Sequence, residues 1–208
     1  AGGGGAGEAG GGGAGAGGGG RAEDDPSGAV AALRRMGLGP LDAVVGVTAS
    51  GRTPYVLGGI GYARRRGALT AGVSCNPGAA LSAQVDHAIE VVVGPELIAG
   101  STRMKAGTAQ KLVLHTISTL VMVRLGRTFG NLMVGLRVEN DKLGRRATTI
   151  VARGAGVTTA VAEEALAAAG GEVATALVTL LGRVDVAVAR RRLAAAGGRV
   201  RAALALSP

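Results

Sequence analysis

The chain has 208 residues, 39 of them glycine, with 1% aromatic side chains and a formal charge of +9. The length suits one domain of ordinary size with a small appendage; the scarcity of rings argues against a base-stacking platform for single-stranded nucleic acid, and the lone Cys75 leaves no internal disulfide or Cys-rich zinc site. Of the 23 basic residues only Lys105, Lys111 and Lys142 are lysines; arginine rises together with Ala and Gly, so the charge reads as compositional bias and no nucleic-acid partner is expected.

Residues 1–20 include 14 glycines and read as a disordered Gly/Ala segment. With no basic n-region and no apolar h-region there, no secretory signal is expected. An acidic stretch at 21–26 leads into a short helix over 29–36, stopped by Gly37 and Gly39. Residues 43–49 (AVVGVTA) form an apolar run of strand length, the kind that parallel sheets bury. The next stretch, 53–66, reads as a helix with Thr53 at the N-cap and Pro54 at the first helical position. A second strand is predicted over 69–75, closed by the turn residues Asn76, Pro77 and Gly78, then a short helix over 80–84 and a third strand over 88–93. This alternation predicts an α/β fold with a parallel sheet covered on both faces. Beyond Gly94, Ser101 is placed to cap a long helix over 102–125, with Leu112, Val113, Ile117, Leu120 and Val121 on one stripe. The apolar run 112–123 is interrupted by His115, Thr116, Ser118 and Thr119 and is too short to cross a bilayer. A soluble cytoplasmic protein without membrane partners is therefore expected. Another helix is predicted over 136–153. In the tail, the pattern of 166–177 recurs at 193–204, each copy a helix end, a Gly-Gly turn and a new helix start. It predicts a three-helix appendage over 155–208, behind a domain over 21–154. The triplets Arg64-Arg65-Arg66 and Arg190-Arg191-Arg192 fall near predicted helix C-termini, where cations complement the dipole.

The richest local chemistry is Thr48-Ala49-Ser50-Gly51-Arg52-Thr53-Pro54, between the first strand and its helix. A hydroxyl-rich turn at the carboxyl end of a parallel strand, opening a helix, is suited to an anion. Backbone N–H groups and the helix dipole favour negative charge, Ser50 and Thr53 add donors, and Gly51 permits close approach. The turn alone leaves a second reading open, in which Thr53 only caps and Ser50 only turns the chain.

Around this turn, "ASGRTPYVLGG" (49–59), "GVSCNPG" (72–78), "VVVGPELIAGSTRMKAGTAQKLVLHTISTLVMVRLGR" (91–127) and "FGNLMVGLRVENDKL" (129–143) resemble the N-acetylmuramic acid 6-phosphate etherase family. The resemblance spans about 21–206 and extends to the Gly-Gly repeat of the tail. It implies a three-layer α/β/α sugar isomerase (SIS) domain with a parallel sheet, here N-terminally incomplete, paired into a homodimer. The implied reaction is hydrolytic loss of D-lactate from N-acetylmuramic acid 6-phosphate, with no metal and no cofactor. Two positioned carboxyl groups and a phosphate anchor suffice for such chemistry. The resemblance carries a catalytic role to Glu23, in Arg21-Ala22-Glu23-Asp24, and substrate binding to Ser50, Gly51 and Thr53; Glu96, Ser101 and Thr102 are substrate-binding candidates at the start of the long helix, where capping is the competing reading. By residue chemistry alone, Glu23 and Asp24 simply favour the start of the following helix.

The family's chains begin with roughly a hundred further residues, sized like part of a domain, with a first sugar-phosphate loop and another catalytic glutamate in an Ala-Glu-Cys-Pro-Pro context. Neither occurs here, and Glu8, in its glycine tract, is no substitute. Gly135 and Glu139 stand where the family has aspartate and threonine. His115 is expected in a core or an interface, His87 has no metal-spaced partner, and Cys75 is expected to be a buried small residue. Three functions follow as alternatives: an etherase, a phosphosugar-binding module without turnover, and a dimerisation fragment.

Overall fold

The computed structural model describes residues 22–136, 138 and 140–206. The segment 1–20 with Glu8, together with Arg21 and Glu139, lies outside the described residues. The chain divides into two compact units, Ala1–His115 and Thr116–Pro208.

The first unit is α/β. Ala22 and Glu23 are helical, and α1 (Pro26–Arg35) follows at once. It begins three residues before the predicted start because Asp25 caps it, accepting from Ser27 N at 2.8 Å, with Pro26 in the first turn. Strand β1 (Ala43–Val47) leads through the hydroxyl-rich turn into α2 (Pro54–Arg65), and β2 (Leu69–Ser74) leads through a 3-10 turn (Ser82–Gln84) to β3 (His87–Glu90). The three strands are parallel in the order β1-β2-β3, with Val45 opposite Ala71 and Val73 opposite Ile89. Helix α2 packs on β1 and β2 and buries Ile60 and Ala63, while α1 packs on α2. The two helices approach closely at Gly58, where a Cβ would lie 2.5 Å from the Pro26 carbonyl oxygen. That contact fixes the start of α1, and with it Glu23, beside the start of α2.

Two carboxylates set the loops of this unit. Asp86 accepts from Thr70 N and Thr70 Oγ1, both at 2.8 Å, and its own N–H donates back to Thr70 Oγ1 at 3.1 Å. Thr70 is fully buried, so this reciprocal pairing pins the entry of β3 to β2. Glu90, at the end of β3, accepts from Gly78 N and Ala79 N at 3.1 Å and from Ser82 Oγ at 2.5 Å.

The long helix α3 (Lys105–Arg124) starts three residues later than predicted. Ser101 is not its cap; the Glu96 carboxylate reaches back to accept from Lys105 N and Ala106 N, each at 3.0 Å. A side chain nine residues upstream thus satisfies orphan N–H groups that the nearby serine leaves open. Of this helix only Ala106 is buried, and His115, expected in a core or interface, is exposed.

In the second unit the end of α3 is followed by a small antiparallel hairpin, β4 (Thr128–Phe129) and β5 (Leu132–Met133), absent from the sequence prediction. Helix α4 (Asp141–Ala155) is capped by Asn140 and ends at Gly156 in the left-handed region. The tail holds four helices where three were predicted: α5 (Thr159–Ala168), α6 (Val173–Gly182), α7 (Val186–Ala195) and α8 (Val200–Ala205). The two Gly-Gly turns were legible; the third break sits at Arg183, a non-glycine residue with φ +49° that ends α6. Val151, Ala162, Leu166, Val173, Leu177, Leu193 and Val200 form a shared core of α4 to α8. Glu172 joins α6 to α7, accepting from Arg190 Nε at 3.2 Å and Thr175 Oγ1 at 2.9 Å. No single helix among the described residues is long and apolar enough to cross a membrane.

Candidate active site

Thr48 leaves the end of β1 nearly buried, its N–H held by the Val73 carbonyl at 3.0 Å. Its hydroxyl lies 2.7 Å from Thr53 Oγ1 and 3.3 Å from Ser50 Oγ, and Ser50 Oγ accepts from Arg52 N at 3.2 Å. Gly51 sits beneath this cluster with φ +70°, where a Cβ would collide with that of Ala79, and its carbonyl accepts from Leu81 N at 2.9 Å. Glycine is therefore required twice over, by conformation and by space. Because the Thr53 hydroxyl is engaged with Thr48, it does not cap α2. Among the described residues no side chain caps this helix, which starts at the carboxyl end of a parallel sheet, a geometry suited to an external anion.

A cleft of about 370 Å³ opens over the turn, lined by Glu23, Thr48, Ser50, Thr53, Tyr55, Thr102 and Gln110 with Val47, Ala49 and Val56. A neighbouring cavity of about 260 Å³ shares Ala49 and Thr102 with it and is bounded by Cys75, Asn76, Glu96 and Gly100. Four of the predicted site residues, Glu23, Ser50, Thr53 and Thr102, therefore meet in one cleft. Gly51 supports that cleft from below, and Glu96 borders the adjoining cavity while capping α3. Ser101 lines neither.

The carboxylates differ in their duties. Hydrogen bonds from the Lys105 and Ala106 backbones hold Glu96 below its ordinary range, which fits a fixed acceptor rather than a proton carrier. Burial, and then the nearby Glu96 charge, pushes the Cys75 thiol up; it is an inert, buried side chain with its Sγ 3.9 Å from the Ala106 carbonyl oxygen. Glu23 is exposed and hydrogen-bonded to no described residue, free to face a ligand. Among the described residues no three His, Cys, Asp or Glu side chains cluster as metal ligands.

Sequence reasoning missed Tyr55 and Gln110 in this cleft and Glu90 behind it, and named Thr48 only as the first residue of the hydroxyl-rich turn. Tyr55 read as helix, and Gln110 as one polar position on a long helix. Glu90 closed a predicted strand, and only the fold brings it to the 78–82 loop.

The fold and cleft define an α/β protein with a hydroxyl-lined cleft, bordered by the Glu23 carboxylate, at the carboxyl end of a parallel sheet. Comparison narrows this class. The chain is 56% identical over 161 residues to the N-acetylmuramic acid 6-phosphate etherase of Streptomyces avermitilis, which covers 77% of the chain and 52% of the relative. Identity is 59% over 160 residues to that of Rubrobacter xylanophilus and 50% over 160 residues to that of Escherichia coli O17:K52:H18, covering 53% and 54% of those proteins. No protein-family model matches. The chain belongs to the N-acetylmuramic acid 6-phosphate etherase family, and it spans about half the length of the curated relatives it matches.

Proposed function

We propose that this chain is part of a lyase that cleaves the D-lactyl ether of N-acetylmuramic acid 6-phosphate, giving N-acetylglucosamine 6-phosphate and D-lactate. The observation that carries the proposal is the meeting of the Glu23 carboxylate with the Ser50/Thr53 turn in one cleft. In this reading the sugar phosphate docks on the turn and the open N-terminus of α2. The ring-opened sugar then presents its C2 proton, acidified by the C1 aldehyde, to Glu23. Loss of that proton expels lactate from C3, whose oxygen takes a proton as it leaves. Water adds to the unsaturated aldehyde at C3, and a proton returns to C2. Within this proposal Ser50, Gly51, Thr53 and Thr102 form the phosphosugar site, with Glu96 and Ser101 at its far margin.

The proposal extends to a cytoplasmic SIS-type domain over 21–154 with an appendage over 155–208, working as a homodimer. Supporting the last point, Leu112, Leu120, Val121 and Met122 of α3 are all more than two-fifths exposed and offer an apolar surface. The test is D-lactate release by the polypeptide extended to the relatives' full length. Glu23→Gln keeps size and some hydrogen bonding but cannot exchange the proton, so a loss of about 10²–10⁴-fold in turnover is expected. A second reading applies to the 208-residue chain itself. Glu23 is the one carboxylate among the described residues lining its cleft, which favours phosphosugar binding without turnover.

A further inference from the structure

Besides hydroxyls and Glu23, the polar side chain lining the cleft is the carboxamide of Gln110. It is half-buried and hydrogen-bonded to no described residue. A carboxamide offers two N–H donors and one carbonyl acceptor in a fixed plane, and here both edges are available to a molecule in the cleft. Its backbone is held firmly, because Glu96 ties down the start of α3 one turn earlier through two 3.0 Å bonds. An amide carried on an anchored helix and left unpaired in a cleft is suited to recognise a complementary group.

Resting on the phosphosugar reading above, we propose that Gln110 recognises the acetamido group at C2 of the sugar. The phosphate is taken by the turn with its Thr48, Ser50 and Thr53 hydroxyls, and Thr102 is left for a sugar hydroxyl. Among the remaining substituents only the acetamido group pairs an N–H donor with a carbonyl acceptor, matching the amide edge of Gln110 in both directions. C2 also carries the proton assigned to Glu23, so holding the acetamido group orients that C–H bond. Gln110 is then a specificity and positioning residue that selects N-acylated amino-sugar phosphates.

Isothermal titration of the polypeptide extended to its relatives' full length with N-acetylglucosamine 6-phosphate, glucosamine 6-phosphate and glucose 6-phosphate tests this. The expected preference of the wild type for the N-acetyl sugar is about 10-fold or more, since a site built to hydrogen-bond a group rejects analogues lacking it. Gln110→Leu should erase that preference while leaving glucose 6-phosphate affinity within about 2-fold, because only the amide partner is lost. Gln110→Glu should invert it towards glucosamine 6-phosphate, whose ammonium group pairs with a carboxylate. A Gln110→Leu protein that keeps the wild-type preference, or weakens all three sugars equally, overturns the proposal. If it keeps the preference while Ser50→Ala with Thr53→Val weakens all three, the anion site stands and Gln110 alone is refuted. If no sugar phosphate binds the wild type, the phosphosugar reading falls and this proposal with it.

Discussion

Ser50, Thr53 and Thr48 form a hydroxyl cluster in which Thr48 lies within hydrogen-bond reach of both others. Such a cluster is poised rather than idle: on anion binding the hydroxyls can turn their protons outward, joined by the uncapped N–H groups of α2. Ser50→Ala combined with Thr53→Val should weaken N-acetylglucosamine 6-phosphate binding by about 1.5–3 kcal/mol for each donor lost to the phosphate. Titration calorimetry reads this, and unchanged affinity would reduce the turn to a structural feature. Gly51 supports the same site through the backbone. Gly51→Ala should destabilise the first unit by more than about 1–2 kcal/mol, because alanine strains a left-handed residue and its Cβ meets Ala79. Urea unfolding followed by circular dichroism measures the loss, and Ala79→Gly in the same background should restore the steric part only.

Elements were legible in the sequence where local chemistry places them. The apolar run at 43–49 and the Thr53-Pro54 start marked β1 and α2 to within two residues, and the hydroxyl turn between them is the heart of the cleft. What was not legible depends on partners distant in sequence or on residues outside their usual habits. Glu96 replaced Ser101 as the cap of α3 because the 96–104 loop folds back, and spacing alone favours the nearer serine. Arg183 ended a helix in a conformation normally left to glycine, so one helix of the tail went uncounted. Glu23 was assigned by resemblance alone; its exposed, acidic surroundings are those of an ordinary helix start.

Carboxylate-to-backbone bonds dominate the loops of the first unit, and this has a consequence with acid. Asp86 and Glu90 sit below their ordinary values of 3.8 and 4.5, chiefly through the hydroxyls of Thr70 and Ser82 and then through backbone N–H groups. Groups with depressed folded-state values contribute stability that is present above the unfolded value and lost as pH falls through the folded one. The first unit should therefore hold its stability at neutral pH and lose it below the ordinary 4.5 of a glutamate. Glu90→Gln should lower stability at neutral pH and flatten the acid limb of the profile. Thermal melts across pH check both, and an unchanged acid limb would mean the 78–82 loop unfolds independently of the sheet.

At the scale of the whole molecule, the cleft stands on a three-stranded sheet in which β1 has a described partner on one side only. Alongside it runs an apolar groove lined by Leu33, Val45, Val47, Val56 and Ile60. An unpaired, apolar strand edge of this kind invites association, so the isolated chain is expected to be poorly soluble. Glu23 is the carboxylate among the described residues that line the cleft. In the proposed reading, binding and turnover are thereby separable: the described cleft holds a hydroxyl turn for an anion but a single carboxylate for proton transfer. The most direct measurement is D-lactate release from N-acetylmuramic acid 6-phosphate by the 208-residue chain beside the polypeptide extended to its relatives' full length. Rapid release by the extended polypeptide, abolished by Glu23→Gln, with little or none from the short chain, is the predicted result. Release at comparable rates by the short chain, or by the extended Glu23→Gln protein, would contradict the account.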